Sequence, residues 1–267
     1  MGSRLGIIAG SGEIPNLVQK EASEQGYACL IAAIKGQAGM SSLAGLERVK
    51  WFDLGDIQEV ISYFKTNDVR TVIFAGKLDP RVIYQKTPEN LPALYILRSN
   101  KDKTPTSLIE RVIALFEKQG ISVEDPMPFL QSFFCEKGIL THTPPSAEVK
   151  SDIVFGWEMA KKIADLDIGQ TVIIKDRAIV AVEGMEGTDE AIKRGGRLVG
   201  QGTTVVKVGR THQDPRIDLP ALGLSTVRSL VAAESSALCF DADQMPFFQK
   251  LEAISLADAH GIAIIAK

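Results

Sequence analysis

The sequence predicts an α/β protein of two domains, the first built on a parallel sheet. Three observations lead there. From Arg4 to Gln119 short apolar runs alternate with segments of helical spacing, the pattern of strands crossing over through helices. A glycine turn joins the first of those runs to the first helical segment. Between Pro126 and Pro145 the composition shifts to Pro, Phe, Gly and Thr and the alternation breaks, which places a boundary near Cys135 and gives domains 1–134 and 135–267. A chain of 267 residues is long enough for two domains that each bury a core.

Arg4 to Ala9 reads as a strand, Gly10-Ser11-Gly12 as a turn, and Ile14 to Gln25 as a helix stopped by Gly26. Cys29 to Ile34 and Val49 to Asp53 follow as strands, then a helix to Lys65 with Asp56 as its N-cap, then a strand from Thr71 to Ala75. Leu91 to Arg98 and Thr106 to Gln119 are two further helices, the second opened by Pro105 with a Thr cap and closed by Gly120. Beyond the boundary Asp152 to Ala164 is a helix, and Thr171 to Ile174 and Ala178 to Val182 are paired strands with Lys175-Asp176 near the turn. A helix begins at Thr188 and another fills Thr226 to Ala233, with strands at Thr204 to Lys207, Ala237 to Phe240 and Gly261 to Ile265.

Apolar residues at 45% and charged residues at 24% are the proportions of an ordinary globular protein. A net charge of −3 with interspersed signs and no basic stripe excludes nucleic acid as a partner. Cys29, Cys135 and Cys239 are isolated in apolar surroundings without a Cys-x-x-Cys pair, as expected of reduced core residues in a cytoplasmic protein. The apolar segment after Arg4 is interrupted by glycines before it could serve as a signal peptide, and no apolar stretch approaches the roughly 20 residues that span a bilayer, so membrane association would be peripheral.

Four clusters have the residue types for phosphate or metal chemistry. At Gly10-Ser11-Gly12, backbone N–H groups at a helix start favour a phosphate, although Pro15 stands where a dinucleotide fingerprint has its third glycine and a tight turn explains the glycines equally well. At the end of the Thr71 strand, Lys77 and Arg81 could meet phosphate oxygens or be solvated loop charges. Asp165, Asp167 and Gln170 precede the densest group, in which Glu183, Glu186 and Asp189 crowd around Gly184 and Gly187. Such oxygens suit magnesium or manganese, and Gly187 and Thr188 open a helix whose free N–H groups could take a phosphate. The last cluster runs from Lys207 through Gln213 to Gly223. If it is extended, Asp214, Arg216 and Asp218 share one face and could hold a metal and a phosphate together; the alternative is an ion pair bracing a proline-rich loop. His212 in this loop is a candidate ligand or proton donor, whereas His142 and His260 read as surface or structural residues. Phe129, Phe133, Phe134, Phe247 and Phe248 are either core or a wall for acyl chains.

The runs Asp167-Ile168-Gly169-Gln170, Ala181 to Asp189 and Gln213-Asp214-Pro215-Arg216-Ile217-Asp218-Leu219-Pro220-Ala221-Leu222-Gly223 resemble the LpxI-type UDP-2,3-diacylglucosamine pyrophosphatases, and the Gly10-Ser11-Gly12 and Gly76-Lys77 segments fit the same family. The resemblance implies a Rossmann-like N-terminal domain, a C-terminal α/β domain particular to the family, and a substrate held in the cleft between them. It further implies magnesium-dependent hydrolysis of UDP-2,3-diacylglucosamine to UMP and 2,3-diacylglucosamine 1-phosphate (lipid X), a step of lipid A biosynthesis at the cytoplasmic face of the inner membrane, with a homodimer left open. It points to Asp218 as the position most important for catalysis and puts Glu183, Glu186 and Asp189 in the family's other acidic motif. The residue types themselves nominate Asp214 and Arg216 beside Asp218 for catalysis, Glu183, Glu186, Asp189 and Asp218 as metal ligands, and Gly10, Ser11, Gly12, Lys77, Gly187, Thr188, Lys207 and Gln213 for substrate phosphate. The chain departs from the family pattern at Leu78-Asp79-Pro80-Arg81, at Arg210-Thr211-His212 and at Asn100-Lys101-Asp102-Lys103, changes compatible with a shifted sugar or acyl preference.

Two other classes compete. A nicotinamide or flavin oxidoreductase needs a ribose-binding acid after the second strand, where Ile34-Lys35-Gly36 offers none. A non-catalytic nucleotide-binding regulatory protein would leave the acidic motifs unemployed.

Overall fold

The computed structural model describes residues 3–40, 43, 46–79 and 104–267; Arg81 and the helix expected from Leu91 to Arg98 lie outside the described residues. The chain divides into two compact units. One comprises Met1–Leu130 together with the short segment Asp214–Asp218, and the other Gln131–Gln213 with Leu219–Lys267.

The first unit is a parallel sheet of five strands in the order β3-β2-β1-β4-β5, with β1 Arg4–Ala9, β2 Ala28–Ile34, β3 Val49–Phe52, β4 Thr71–Ala75 and β5 Ser122–Val123. Its central strands are covered on both faces, which is why they read as near-continuous apolar runs. Helix α1 (Ile14–Glu24) has Pro15 in its first turn, where a missing N–H costs nothing, and no side-chain cap. Asp56 holds the N-cap position of α2 (Ile57–Thr66) as expected, but its carboxylate accepts the N–H of Asp53 at 3.0 Å and makes no capping bond. Thr104 does cap α3 (Pro105–Lys118), accepting from Ser107 N at 3.3 Å. Phe52, Phe64, Val72, Phe116 and Ile121 are buried in one core cluster, and Ile217 from the Asp214–Asp218 segment packs against it.

The second unit is a six-stranded sheet in the order β6-β11-β10-β9-β7-β8. Strands β9 (Thr204–Lys207), β10 (Ala237–Phe240) and β11 (Ala263–Ala266) are parallel, while β6 (Gly138–Ile139), β7 (Thr171–Lys175) and β8 (Ala178–Val182) pair antiparallel with their neighbours. The β7–β8 hairpin turns through Asp176 and Arg177, both left-handed, the twist a tight hairpin requires. Buried Asp152 holds that turn by accepting Arg177 N at 2.7 Å. Helix α4 (Ala147–Asp165), capped by Ser146, covers one face with Val206, Val208 and Cys239; α5 (Thr188–Val199), α6 (Leu224–Ala232) and α7 (Lys250–Ala259) accompany the core on the other. Helix α4 starts five residues before the expected Asp152, because Ser146 accepts the N–H of Val149 and Glu148 sits in the first turn.

All three cysteines are free, and burial pushes the Cys239 thiol up to about 12. Phe129, Phe247 and Phe248 are core residues of their units, and Phe133 packs its ring against Phe248 at 5.1 Å. Among the described residues no helix is long and apolar enough to cross a membrane.

Candidate functional site

In the first unit the strand order places the topological switch point between β1 and β4, where open α/β sheets bind ligands beyond the strand ends. Here the two exits are joined. Gly10 N donates to Ala75 O at 2.8 Å, Ser11 N to Lys77 O at 2.8 Å and Lys77 N to Ser11 O at 2.9 Å, with Ser11 Oγ adding a bond to Lys77 O at 2.9 Å. Glycine is required on both sides of this bridge: a Cβ on Gly10 would stand 2.6 Å from Lys77 O, and one on Gly76 2.5 Å from Ser11 O. The expectation that the Gly10 and Ser11 amides face a phosphate is therefore corrected, since they are spent on closing the turn onto β4. Gly12 is left-handed with open space around it, and the exposed Lys77 stands at the bridge.

The Asp214–Asp218 segment of the same unit is a turn, not the extended stretch read from sequence. Asp214 O accepts the N–H of Ile217 at 3.0 Å and of Asp218 at 3.3 Å, and Asp214 Oδ1 accepts Arg216 N at 3.0 Å. Pro215 pre-sets the φ such a turn needs at its second position, and an Asp before it supplies the side-chain acceptor. Arg216 returns its guanidinium to Asp214 at 2.8 Å and reaches Glu117 of α3 at 3.6 Å. The Arg216 hydrogen bond outweighs partial burial and holds the Asp214 carboxyl below the usual range. Burial pushes the nearby Asp125 carboxyl up, against the hydrogen bond it accepts from Met127 N, and the Asp214 charge adds to the rise. Asp218 ends the turn, exposed.

In the second unit, Gly187 is the N-cap of α5, left-handed at φ 85°, and Thr188 is the first helical residue. Thr188 does not cap the helix as expected. Its hydroxyl donates to Glu183 Oε1 at 3.0 Å and accepts from Lys207 Nζ at 3.1 Å. The other Glu183 oxygen accepts Gln170 N at 3.3 Å. Glu186 turns away to Arg194, 2.5 Å from its Nη2; burial works to raise this carboxyl, and the Arg194 guanidinium with local backbone N–H groups hold it below the usual value. Asp189 lies in the first turn of α5 with Oδ1 buried and without a hydrogen-bond partner. Glu183, Glu186 and Asp189 thus have separate surroundings, and among the described residues no three His, Cys, Asp or Glu side chains gather as a cation-binding group.

Other predicted residues serve the loop after β9. Asp165 accepts both the N–H and the hydroxyl of Thr211 at 2.7 Å, bonds that hold its carboxyl below the usual range, and Asp167 pairs with Arg210. Gln213 Oε1 accepts Arg210 N at 3.0 Å, folding the loop locally. His212 is exposed, and His142, also exposed, is anchored by Asp258 at 2.7 Å. The sequence reading passed over Lys161 and Asp241, whose ion pair at 2.7 Å also ties Gly209 O to Lys161 at 2.9 Å. Asp241 directly follows a parallel strand, the position that could have drawn attention to it.

The fold and these clusters define a two-domain α/β protein, with a Rossmann-type order in its first sheet and polar residues collected at the strand exits of each unit. A model of the LpxI N-terminal domain matches residues 4–133, and one of the LpxI C-terminal domain matches residues 136–265. The chain belongs to the LpxI family. It is similar to the UDP-2,3-diacylglucosamine pyrophosphatase LpxI of Caulobacter vibrioides, at 25% identity over 277 aligned positions that cover 98% of this chain and 96% of that protein.

Proposed function

We propose that this chain hydrolyses the phosphoanhydride of UDP-2,3-diacylglucosamine, giving UMP and 2,3-diacylglucosamine 1-phosphate in lipid A biosynthesis. The observation that carries this reading is the match to both family domains along nearly the whole chain, together with a relative named for that activity. Water adds to a phosphorus of the anhydride, the bridging P–O bond breaks, and the two phosphate monoesters separate. Asp218 is the residue proposed to orient that water and take its proton, at the end of a turn whose shape Asp214 fixes. Arg216, held by Asp214 and Glu117, is proposed to supply positive charge to the phosphoryl oxygens.

Magnesium is part of the proposal. It binds proteins through one or two carboxylates and completes its shell with water and substrate phosphate oxygens, so a group of three acids is not required. Asp189, with its buried unpartnered oxygen, is the acid that fits; Glu183, bonded to the Thr188 hydroxyl and Gln170 N, and Glu186, taken by Arg194, are already engaged. The ion would polarise a phosphoryl oxygen as a Lewis acid. A diacylated substrate places the enzyme at the cytoplasmic surface of the inner membrane as a peripheral protein. Incubating the purified chain with UDP-2,3-diacylglucosamine and magnesium should release UMP, and its absence with folded protein would sink the reading.

A further inference from the structure

Two lysines reach the strand exits of the second unit, Lys161 from α4 and Lys207 from the end of β9, and their surroundings differ. Lys161 is ion-paired with Asp241, which is 6% exposed, and gives another bond to Gly209 O. Lys207, at the end of β9, is 8% exposed and forms no ion pair among the described residues. Its Nζ donates to Thr188 Oγ1 at 3.1 Å and to Ala221 O at 2.9 Å, both neutral acceptors. An ammonium has three donors, so one remains. A buried charge without its counter-charge is costly, and a position that keeps one commonly serves a ligand of opposite sign. The remaining structure favours an oxyanion. Lys207 is bonded to the first residue of α5, where helix N–H groups and the dipole add to its field, and Gly187 ahead of it carries no side chain to obstruct approach. Glu183 offsets the ammonium at one remove through the Thr188 hydroxyl, which it orients by accepting that proton.

From this geometry we infer that Lys207 is the anion-binding residue of the second unit, positioned by Thr188 and Glu183, and that its ligand is a phosphate or diphosphate group. This rests on the hydrolase reading for its physiological ligand but not for its test. Calorimetric titration of the full chain with inorganic pyrophosphate reads the site without turnover. Lys207→Met should weaken binding about 10- to 100-fold, the range for a hydrogen bond to a charged group. Thr188→Val should weaken it about 3- to 10-fold, as for a neutral hydrogen bond, with Thr188→Ser restoring it. Lys161→Met, at a partly buried lysine already paired, should bind as the wild type does. Wild-type protein that takes up no pyrophosphate, or a folded Lys207→Met that binds it undiminished, would overturn the inference. Equal loss in Lys161→Met would also do so. Should Lys207→Met fail to fold, the Val and Ser variants at 188 decide, and indistinguishable affinities for the two count against the site. Pyrophosphate binding that depends on Lys207 in a protein releasing no UMP supports the site and defeats the hydrolase; UMP release with binding indifferent to Lys207 does the reverse.

Discussion

Arg216 turns its guanidinium back onto Asp214, with Nε 3.1 and 3.2 Å from the two carboxylate oxygens and Nη2 2.8 Å from Oδ2. The same carboxylate accepts the Arg216 backbone N–H at 3.0 Å, so one acid fixes both the main chain and the side chain of the residue two places on. The ion pair weighed from sequence as a mere brace is present, and what it braces is the turn that ends on Asp218.

Asp214→Ala should therefore cost far more activity than stability. Both partners are about a third exposed, so the pair is worth at most about 1 kcal/mol, or about 2–4 °C in Tm for a chain of this size. UMP release should fall at least about tenfold, the lower part of the range for misplaced catalytic groups. The pH dependence follows from the depressed Asp214 carboxyl, lowered chiefly by Arg216. Its contribution is present above the unfolded value of about 3.9 and is lost as pH falls through the lower folded value. Melting curves of wild type and variant should differ by a constant amount above about pH 4 and converge in stronger acid. A gap that persists unchanged in strong acid would contradict this assignment.

Much of the first unit was legible because β1, β2 and β4 are nearly continuous apolar runs and its helices carry ordinary stops, Gly26 and Gly120 among them; β5, two residues long with Ser122 exposed, gave no such signal. The Asp214 turn was not, since alternation of Asp, Arg and Asp mimics a strand, and the deciding interactions are an Asp side-chain bond and the burial of Ile217 in a core formed by distant residues. Helix α7 escaped notice because apolar residues occur around its whole circumference, with Leu251 exposed while Ala253 and Ala257 are buried. At the candidate sites the residue types were readable and the partnerships were not. Glu186 and Arg194, or Lys207 and Thr188, are joined by tertiary packing that no spacing announces.

The Gly10 turn gives a prediction that separates backbone closure from phosphate recognition. Alanine at position 10 would drive its Cβ toward the Lys77 carbonyl, and backbone there cannot yield as a flexible side chain would. Gly10→Ala should lower stability by about 1–3 kcal/mol, the usual cost of overpacking, seen as an earlier midpoint in chemical denaturation. An unchanged midpoint with weakened substrate binding would instead favour the phosphate role.

Metal dependence can be tested together with its ligands. Dialysis against EDTA should abolish UMP release and magnesium or manganese should restore it, because the available donors are hard oxygens. Asp189→Asn should raise the magnesium concentration needed for half-maximal rate. Glu186→Gln should leave that requirement alone, since its carboxylate is engaged by Arg194. Full activity after exhaustive chelation would remove the ion from the proposal, and an equal shift in both variants would remove the distinction between the two acids.

Asp218→Ala should leave the fold intact, permit substrate to bind and remove turnover. Asp218 is exposed, and its main-chain N–H is bonded to Asp214 O at 3.3 Å, a bond that alanine retains. The turn itself is held by Asp214, Pro215 and the anchored Arg216, none of which the substitution changes. Surface substitutions of this kind usually move stability by no more than about 0.5 kcal/mol. Loss of a group that orients water and accepts its proton should lower kcat by about 10² to 10⁴. Affinity should change little, because the substrate's uridine, sugar and acyl portions offer contacts that do not involve this carboxylate. If Asp218 instead serves the turn, the variant melts earlier and its residual activity follows its folded fraction. A melting curve, a UMP-release assay and a substrate-binding measurement on one preparation distinguish the two: stable, inactive and binding-competent protein supports the catalytic role, and destabilised but active protein defeats it.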